Sequence, residues 1–194
     1  MDDAKARILK SARHIFAEKG YDKATIREIA EHAQVARGLL HYHFKNKDDL
    51  LVQVMSSNYY GTIGSNMMEQ LQFKTTKELA KTIVFVYQEA LIRSPEFFQL
   101  IYGTISTIRQ NETVRKAIVA VWQEYRNMGQ TMINDLKKKG LITSKTSSEI
   151  ILTLLVGVLH GIGIQVIGEP HMKLTNSKKL WEAIEKNVLS IISS

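Results

Sequence analysis

The stretch TIREIAEHAQVARGLLHYHFKNK, residues 25–47, decides the fold of the N-terminal part of this chain. Thr25 is followed three residues later by Glu28, a capping-box pattern that predicts the start of a helix. We expect a turn at residues 33–35 and a second helix over residues 36–44. The second helix would display hydrogen-bond donors and aromatic rings without a carboxylate, which suits DNA. Two short helices joined by such a turn make a helix-turn-helix motif.

The residues around this stretch predict further helices. Residues 4–19 alternate apolar and basic side chains at helical spacing, and Gly20 is a good residue to end that helix. Asp48 and Asp49 suit the positive end of a fourth helix, in which we expect a kink or break at residues 61–65. The expected core of the first three helices consists of Ile8, Ile15, Phe16, Ile26, Ile29, Leu40 and Phe44.

The composition favours helix throughout the chain. The sequence has 194 residues, of which 44% are hydrophobic and only two are proline, and no alternating strand pattern stands out. Helical periodicity continues from residue 75, and the last two helices are expected over residues 145–168 and 176–192. We therefore predict an all-α protein of about nine helices. Residues 1–47 would form a three-helix DNA-binding domain, with its motif at about 25–44, and residues 48–194 a larger ligand-binding and dimerisation domain.

The positive charge is concentrated near the N-terminus. Residues 1–47 contain ten Lys or Arg and six Asp or Glu, a balance of +4, whereas the other 147 residues have sixteen against thirteen, or +3. This distribution supports an anionic partner for the N-terminal part. The absence of cysteine excludes disulfides, thiolate zinc sites and a cysteine nucleophile.

Two features bear on location. The first ten residues lack the apolar centre of a signal peptide, so we expect a cytoplasmic protein. Residues 150–168 are almost uncharged and about as long as a bilayer is thick. They are interrupted by His160 and Gln165 and contain four glycines, so we interpret them as a buried interface helix with no membrane partner.

Residues 6–51 resemble the N-terminal signature of the tetracycline-repressor (TetR) family of bacterial transcription regulators. The resemblance rests on Ala12, Phe16, Gly20, Thr25, Ile29, Ala30, Val35, Gly38, Phe44, Lys47 and Leu50. It implies a homodimer with a DNA-reading N-terminal domain and a C-terminal domain that senses a small molecule and dimerises. No cofactor and no catalytic residue are expected.

Carried over by position, the resemblance implies two kinds of DNA contact. Phosphate contacts are expected from Thr25, Tyr42 and Lys47, and base or groove contacts from Arg37, Gly38, Leu39 and His41. An arginine near the start of a reading helix can offer a bidentate fork to guanine. Three residues depart from the family pattern: Gln34 replaces a turn glycine, Ala36 a capping hydroxyl and His41 a common tyrosine.

The C-terminal part contains candidates for an effector pocket and for a dimer interface. The candidate pocket residues are Met68, Phe98, Tyr102, Trp122, Tyr125 and His160, although any one of them taken alone is more often an ordinary core or interface residue. The candidate interface residues are Gly157 and Gly161, which permit close helix approach, with Trp181, Ile184 and Val188 on the last helix.

We predict a sequence-specific transcriptional regulator, a repressor released from a palindromic operator by a small, largely apolar effector. One alternative is a DNA-binding regulator whose C-terminal domain only dimerises or binds a protein. Another is a helical-bundle enzyme, which would need inward-facing Glu-x-x-His pairs that the sequence lacks. No metal site is expected, because His41 and His43 are two apart on a helix and point to different sides.

Overall fold

The computed structural model describes residues 3–62 and 73–193, and it confirms the all-α prediction: no β-strand occurs in those two ranges. Nine α-helices lie there: α1 Asp3–Lys19, α2 Ile26–His32, α3 Arg37–His43, α4 Lys47–Thr62, α5 Thr76–Arg93, α6 Pro95–Gln110, α7 Glu112–Lys138, α8 Ser148–Gly168 and α9 Lys178–Ser193. Two short 3-10 turns, Pro170–Met172 and Leu174–Asn176, connect α8 to α9.

Local sequence signals set several helix ends. Gly20 and Gly140 have φ values of 77° and 71°, the left-handed conformation that glycine adopts without a steric cost, and they follow α1 and α7. Thr75 accepts a hydrogen bond from the Glu78 amide at the start of α5. α6 begins directly at Pro95, because proline suits the first position of a helix.

Two helix starts differ from the prediction. α8 begins at Ser148 instead of residue 145, because the Ser147 hydroxyl accepts a hydrogen bond from the Ile150 amide and caps the helix there. α9 begins at Lys178 instead of residue 176, because the 3-10 turns extend to Asn176. For the predicted kink, α4 is helical up to Thr62, and residues 63–65 lie outside the described ranges.

The chain divides into two compact units. In the first, the residues up to Thr62 cluster with Glu96–Trp122 from α6 and the start of α7. Six of the seven residues expected in the core are buried, while Ile26 is only half-buried. Its most buried side chains include Ile8, Phe16, Ile29, Leu40, Phe44, Leu50, Phe98 and Ile118.

The second unit contains α5, the later part of α7, α8 and α9. In it α9 packs against α5 and α8, and its core includes Leu79, Val84, Ile151, Leu155, Val188 and Ile192. The main-chain carbonyl of Ile192 accepts hydrogen bonds from the amides of Thr143 and Ser144, which ties the end of α9 to the segment before α8.

Candidate nucleic-acid interface

The capping box at the start of α2 is present as predicted. The Glu28 amide donates to the Thr25 hydroxyl oxygen at 3.2 Å, and the Glu28 carboxylate accepts from the Thr25 amide at 3.0 Å. The same carboxylate accepts from Lys19 Nζ at 2.7 Å. The hydrogen bonds from Lys19 and Thr25 lower the pKa of Glu28 to about 2. α2 therefore begins at a defined position.

The turn after α2 contains the strain expected from its sequence. Gln34 has a φ of 55°, in the left-handed region that favours glycine. Its amide donates to the Glu31 carbonyl, and the Val35 amide donates to the Ala30 carbonyl, each at 3.1 Å. These bonds close the end of α2 and direct the chain into α3.

α3 is held by a buried side chain within it and another directly after it, and most of its other residues are exposed. Leu40 and Phe44 are almost completely buried against the first unit. No acidic residue lies in the helix, and its N-terminal neighbour Ala36 provides no side-chain cap, as expected. The predicted base-contact residues Arg37, Gly38, Leu39 and His41 are all exposed. The helix thus presents a cationic and aromatic surface to solvent.

Tyr42 and Gly38 are both exposed to solvent. The Tyr42 side chain is 82% exposed, which is unusual for an aromatic residue, and its ring contacts the His43 ring edge-on at 5.1 Å between centroids. A methyl group added at Gly38 would meet nothing within 4 Å. The absence of a side chain at Gly38 therefore serves no packing need of the first unit.

The other two predicted phosphate residues make contacts within the chain. The Thr25 hydroxyl donates to the Glu28 carboxylate at 2.8 Å, although the residue is exposed. Lys47 Nζ donates to the carbonyls of Tyr21 at 2.9 Å and Ala24 at 3.1 Å, and it lies 4.3 Å from the centre of the Tyr21 ring. Lys47 thus fixes the connection between α1 and α2, a role that sequence reasoning missed.

Among the described residues, no group of three or more His, Asp or Glu side chains has the geometry to hold a metal ion. His43 packs between the rings of Tyr42 and Phe44. His41 lies on the exposed surface of α3, whereas His43 is half-buried.

Comparison with known proteins fits this geometry. A sequence model described as bacterial regulatory proteins of the tetR family matches residues 8–54. The HTH-type transcriptional regulator QacR of Staphylococcus aureus is 28% identical over 160 residues, which cover 76% of this chain and 84% of QacR. Residues 8–54 thus carry the sequence signature of the TetR family.

Two further matches show how much of the chain is shared with relatives and which fold it has. The HTH-type transcriptional regulator YerO of Bacillus subtilis is 31% identical over 135 residues, 66% of this chain but only 46% of YerO, so the match spans less than half of that relative. The structure of the transcriptional regulator FadR from Bacillus subtilis, in complex with stearoyl-CoA, superposes with a TM-score of 0.73 at 20% identity and covers 97% of both chains. This likeness shows that the chain shares the fold of that regulator.

The predicted pocket residues are distributed over both units. Phe98 is fully buried in the first unit, 6.4 Å from the Tyr102 ring, and Trp122 in the same unit is 37% exposed. Tyr125 is buried in the second unit. His160 also lies there, 6.1 Å from the Tyr87 ring, and burial lowers its pKa below the ordinary value. Met68 lies outside the described residues.

The residues predicted for the dimer interface divide into exposed and buried sets. Gly157 and Gly161 are exposed on α8, and a methyl group added at either would meet nothing within 4 Å. In contrast, Trp181, Ile184 and Val188 are buried within the second unit, so their side chains pack against their own chain.

α8 also exposes large apolar side chains that were not singled out from the sequence. Ile150, Leu154 and Ile164 are 52%, 47% and 52% exposed. With Gly157 and Gly161 they follow a spacing of four, three, four and three residues, so all five lie on one side of the helix. We call these five residues the α8 stripe. That spacing was readable in the sequence, but it does not say whether the stripe faces the chain's own core.

α8, Ser148–Gly168, is long and apolar enough to cross a membrane by length and composition, and 22% of its most apolar window is buried in the chain. A single helix of this kind is weak support for a membrane span. The exposed stripe offers a different explanation of its apolar character.

Proposed function

We propose that this chain is a sequence-specific DNA-binding regulator of the TetR family that acts as a homodimer and leaves its operator when a small molecule binds. One observation carries the DNA-binding part: α3 is anchored by Leu40 and Phe44 and presents an exposed surface with arginine, histidine and tyrosine but no carboxylate. Such a helix fits the major groove of B-DNA, where donors read base edges and phosphates accept hydrogen bonds.

Each exposed residue of α3 has a distinct expected role. Arg37 near the N-terminus of the helix would donate a bidentate pair to guanine, and Leu39 would contact a thymine methyl group. Gly38 would allow close approach of the backbone. His41 would contribute to groove recognition and Tyr42 would donate to a phosphate. Thr25 and Lys47 would add phosphate contacts if, on DNA binding, they replaced their hydrogen bonds within the chain by hydrogen bonds to phosphates.

The α8 stripe supports the dimer part of the proposal. A contiguous exposed row of apolar side chains and glycines is typical of a helix that packs against a partner. Gly157 and Gly161 let a second helix approach closely. Trp181, Ile184 and Val188 would act indirectly, by holding α9 beside α8 from within the chain. Two copies related by a two-fold axis would place their reading helices at two half-sites of a palindrome.

The effector is proposed to be a small, largely apolar molecule, because the candidate residues named from the sequence are mainly aromatic: Phe98, Tyr102, Trp122 and Tyr125, with Met68 and His160. FadR, which shares the fold, was solved with stearoyl-CoA. A ligand that prefers the arrangement with poor DNA affinity would shift the population by its differential affinity, and a coupling of about 1–3 kcal/mol is sufficient. Such a regulator would act in the cytoplasm, as a binding protein and not as an enzyme.

Selection of DNA from a randomised duplex library tests the proposal. We expect a palindromic consensus with two half-sites about one helical turn apart. Arg37→Ala should bind that consensus roughly 5- to 100-fold more weakly and lose preference at one base pair per half-site. Arg115→Ala removes the same charge from α7 in the same unit and should leave the preference unchanged.

If the protein selects no consensus, the proposed function is wrong. If Arg37→Ala binds as tightly and as selectively as wild type, α3 does not read the bases through Arg37. The effector part is tested separately by thermal unfolding with a panel of apolar compounds, because a ligand of the folded state must raise its stability. Absence of any shift, or a shift without DNA release, favours the alternative in which the C-terminal domain only dimerises or binds a protein.

A further inference from the structure

Four side chains of the first unit form a continuous chain of contacts between the start of α7 and the start of α2. They are Asn111, Asp48, Tyr21 and Lys47, which we call the corner chain. Asn111 and Asp48 are 63 residues apart in sequence, and Tyr21 and Asp48 are 27 apart. None of the four lies on α3, so the chain links the predicted reading motif to the corner between α6 and α7.

The orientation of Asn111 is fixed by its role as a helix cap. Its side-chain carbonyl accepts a hydrogen bond from the Val114 amide at 3.1 Å, and its main-chain carbonyl accepts from the Arg115 amide at 2.8 Å. Because the side-chain carbonyl of Asn111 is bonded to the Val114 amide of α7, the NH2 group of the same side chain faces away from that helix. It donates to Asp48 Oδ2 at 3.4 Å, in the first turn of α4.

Asp48 uses its other carboxylate oxygen for Tyr21. The Tyr21 hydroxyl donates to Asp48 Oδ1, and the ring is buried beside Phe16 at 5.7 Å between centroids. Burial and the hydrogen bond to Asp48 both raise the pKa of Tyr21, so the phenol remains a donor throughout the physiological pH range. One carboxylate thus joins α4, the corner at Asn111 and the connection between α1 and α2.

Lys47 completes the corner chain through its contact with the Tyr21 ring. Its ammonium lies over the ring and donates to the carbonyls of Tyr21, Ala24 and, at 3.4 Å, Asp22. These carbonyls belong to the segment that ends at Thr25, the cap of α2. The corner chain therefore connects Asn111 to the segment that leads into the α2 cap.

We propose that Asn111 is a positioning residue for the reading motif, acting through the corner chain to hold α2, and with it α3, in the arrangement that binds DNA. This inference rests on the proposed DNA-binding function and adds to it the route by which the α6–α7 corner affects the reading helices. A change in the corner would alter DNA affinity without touching any residue at the DNA surface.

A reciprocal exchange of Asn111 and Asp48 tests the proposal. Asn111→Asp keeps the cap of α7, because aspartate caps as well as asparagine, but it places a carboxylate against Asp48. Asp48→Asn in the same protein restores a donor and an acceptor with reversed direction, and its carbonyl still accepts from Tyr21. On duplex DNA selected by the wild type, we expect Asn111→Asp to bind roughly tenfold more weakly and the double variant to recover to within about threefold.

Hydrogen exchange gives a readout that does not depend on DNA. Amides in residues 20–33 should exchange faster in Asn111→Asp than in the wild type and return towards wild-type rates in the double variant. Asn127→Asp adds the same charge to an exposed position of α7 and should change neither measurement. Circular dichroism establishes that every variant is folded before the comparison is made.

The outcomes separate this inference from the proposed function. Wild-type affinity and exchange in Asn111→Asp, or a loss that Asp48→Asn fails to rescue, would overturn the corner chain. If the wild type selects no DNA, the DNA-binding function fails, and the exchange rates in residues 20–33 still decide whether Asn111 holds the α2 cap.

Discussion

Gln34 is the residue at which the reading motif carries a local conformational cost. Its left-handed backbone is required because the Gln34 and Val35 amides both turn back to carbonyls of α2, the pattern of a Schellman helix ending. A side chain disfavours this conformation by about 1–2 kcal/mol relative to glycine. The cost persists because Ile29 and Leu40, buried on either side of the turn, hold both helices in place.

Replacing Gln34 by glycine should therefore stabilise the protein. We expect Gln34→Gly to raise the free energy of unfolding by about 1 kcal/mol, a net value after the greater freedom of glycine in the unfolded chain. Urea unfolding measures the change. Gln34→Ala is the matched control, since it removes the same polar group but keeps the strain. A gain for alanine as large as that for glycine would show that the strain is not the cause.

α2 owes its defined start to one carboxylate that serves three partners. Glu28 accepts from the Thr25 amide, the Thr25 hydroxyl and Lys19, and so joins the end of α1 to the beginning of α2. The capping-box spacing made the Thr25 contacts predictable, since they lie within four residues. The contact with Lys19 depends on how α1 and α2 pack, and the sequence pattern contains no signal for it.

The capping box should make stability depend on pH on the acid side. Because the pKa of Glu28 is lowered from 4.5 to about 2, its stabilising contribution is complete above pH 4.5 and is lost as the pH falls towards 2. In urea unfolding, wild type should exceed Glu28→Gln in stability at pH 6, and the difference should shrink at pH 3. Glu124→Gln, at an exposed position of α7, controls for net charge. A difference that stays constant between the two pH values would contradict the assignment.

Other elements show which features of the fold can be predicted from local sequence signals and the spacing of apolar residues, and which cannot. Gly20 correctly predicted the end of α1, because it acts through its own backbone geometry. Ile26 was expected in the core but is half-buried, since it occupies the first turn of a seven-residue helix. Apolar spacing alone cannot distinguish a face that packs on its own chain from one that packs on a partner.

At the scale of the whole molecule, that distinction separates α8 from α9. The apolar face of α9, with Trp181, Ile184 and Val188, is covered by the second unit, while the α8 stripe is exposed. The buried side of α8, which includes Ile151, Leu155 and Leu159, lies opposite the stripe. Assembly through α8 would bury apolar area on both sides of one helix, which accounts for its low content of charge.

A single bulky charge in the α8 stripe should prevent assembly. We expect Gly161→Arg to convert the dimer to a monomer with unchanged helix content, because a long charged side chain would stand where a partner helix must approach. Size-exclusion chromatography with light scattering measures the mass. Val156→Arg is the matched control, since Val156 is also exposed on α8 but off the stripe. A Gly161→Arg protein that remains dimeric would exclude the stripe as the interface.

The two tryptophans lie in different units, so their fluorescence can report on the unfolding of each unit separately. Trp122 belongs to the first unit and is partly exposed, whereas Trp181 belongs to the second and donates its indole hydrogen to the Thr175 carbonyl at 3.0 Å. Because the sequence contains no other tryptophan, Trp122→Phe and Trp181→Phe each leave one tryptophan, whose emission reports on one unit. Emission from the two single-tryptophan proteins can therefore show whether the units melt together or in succession, without any attached dye.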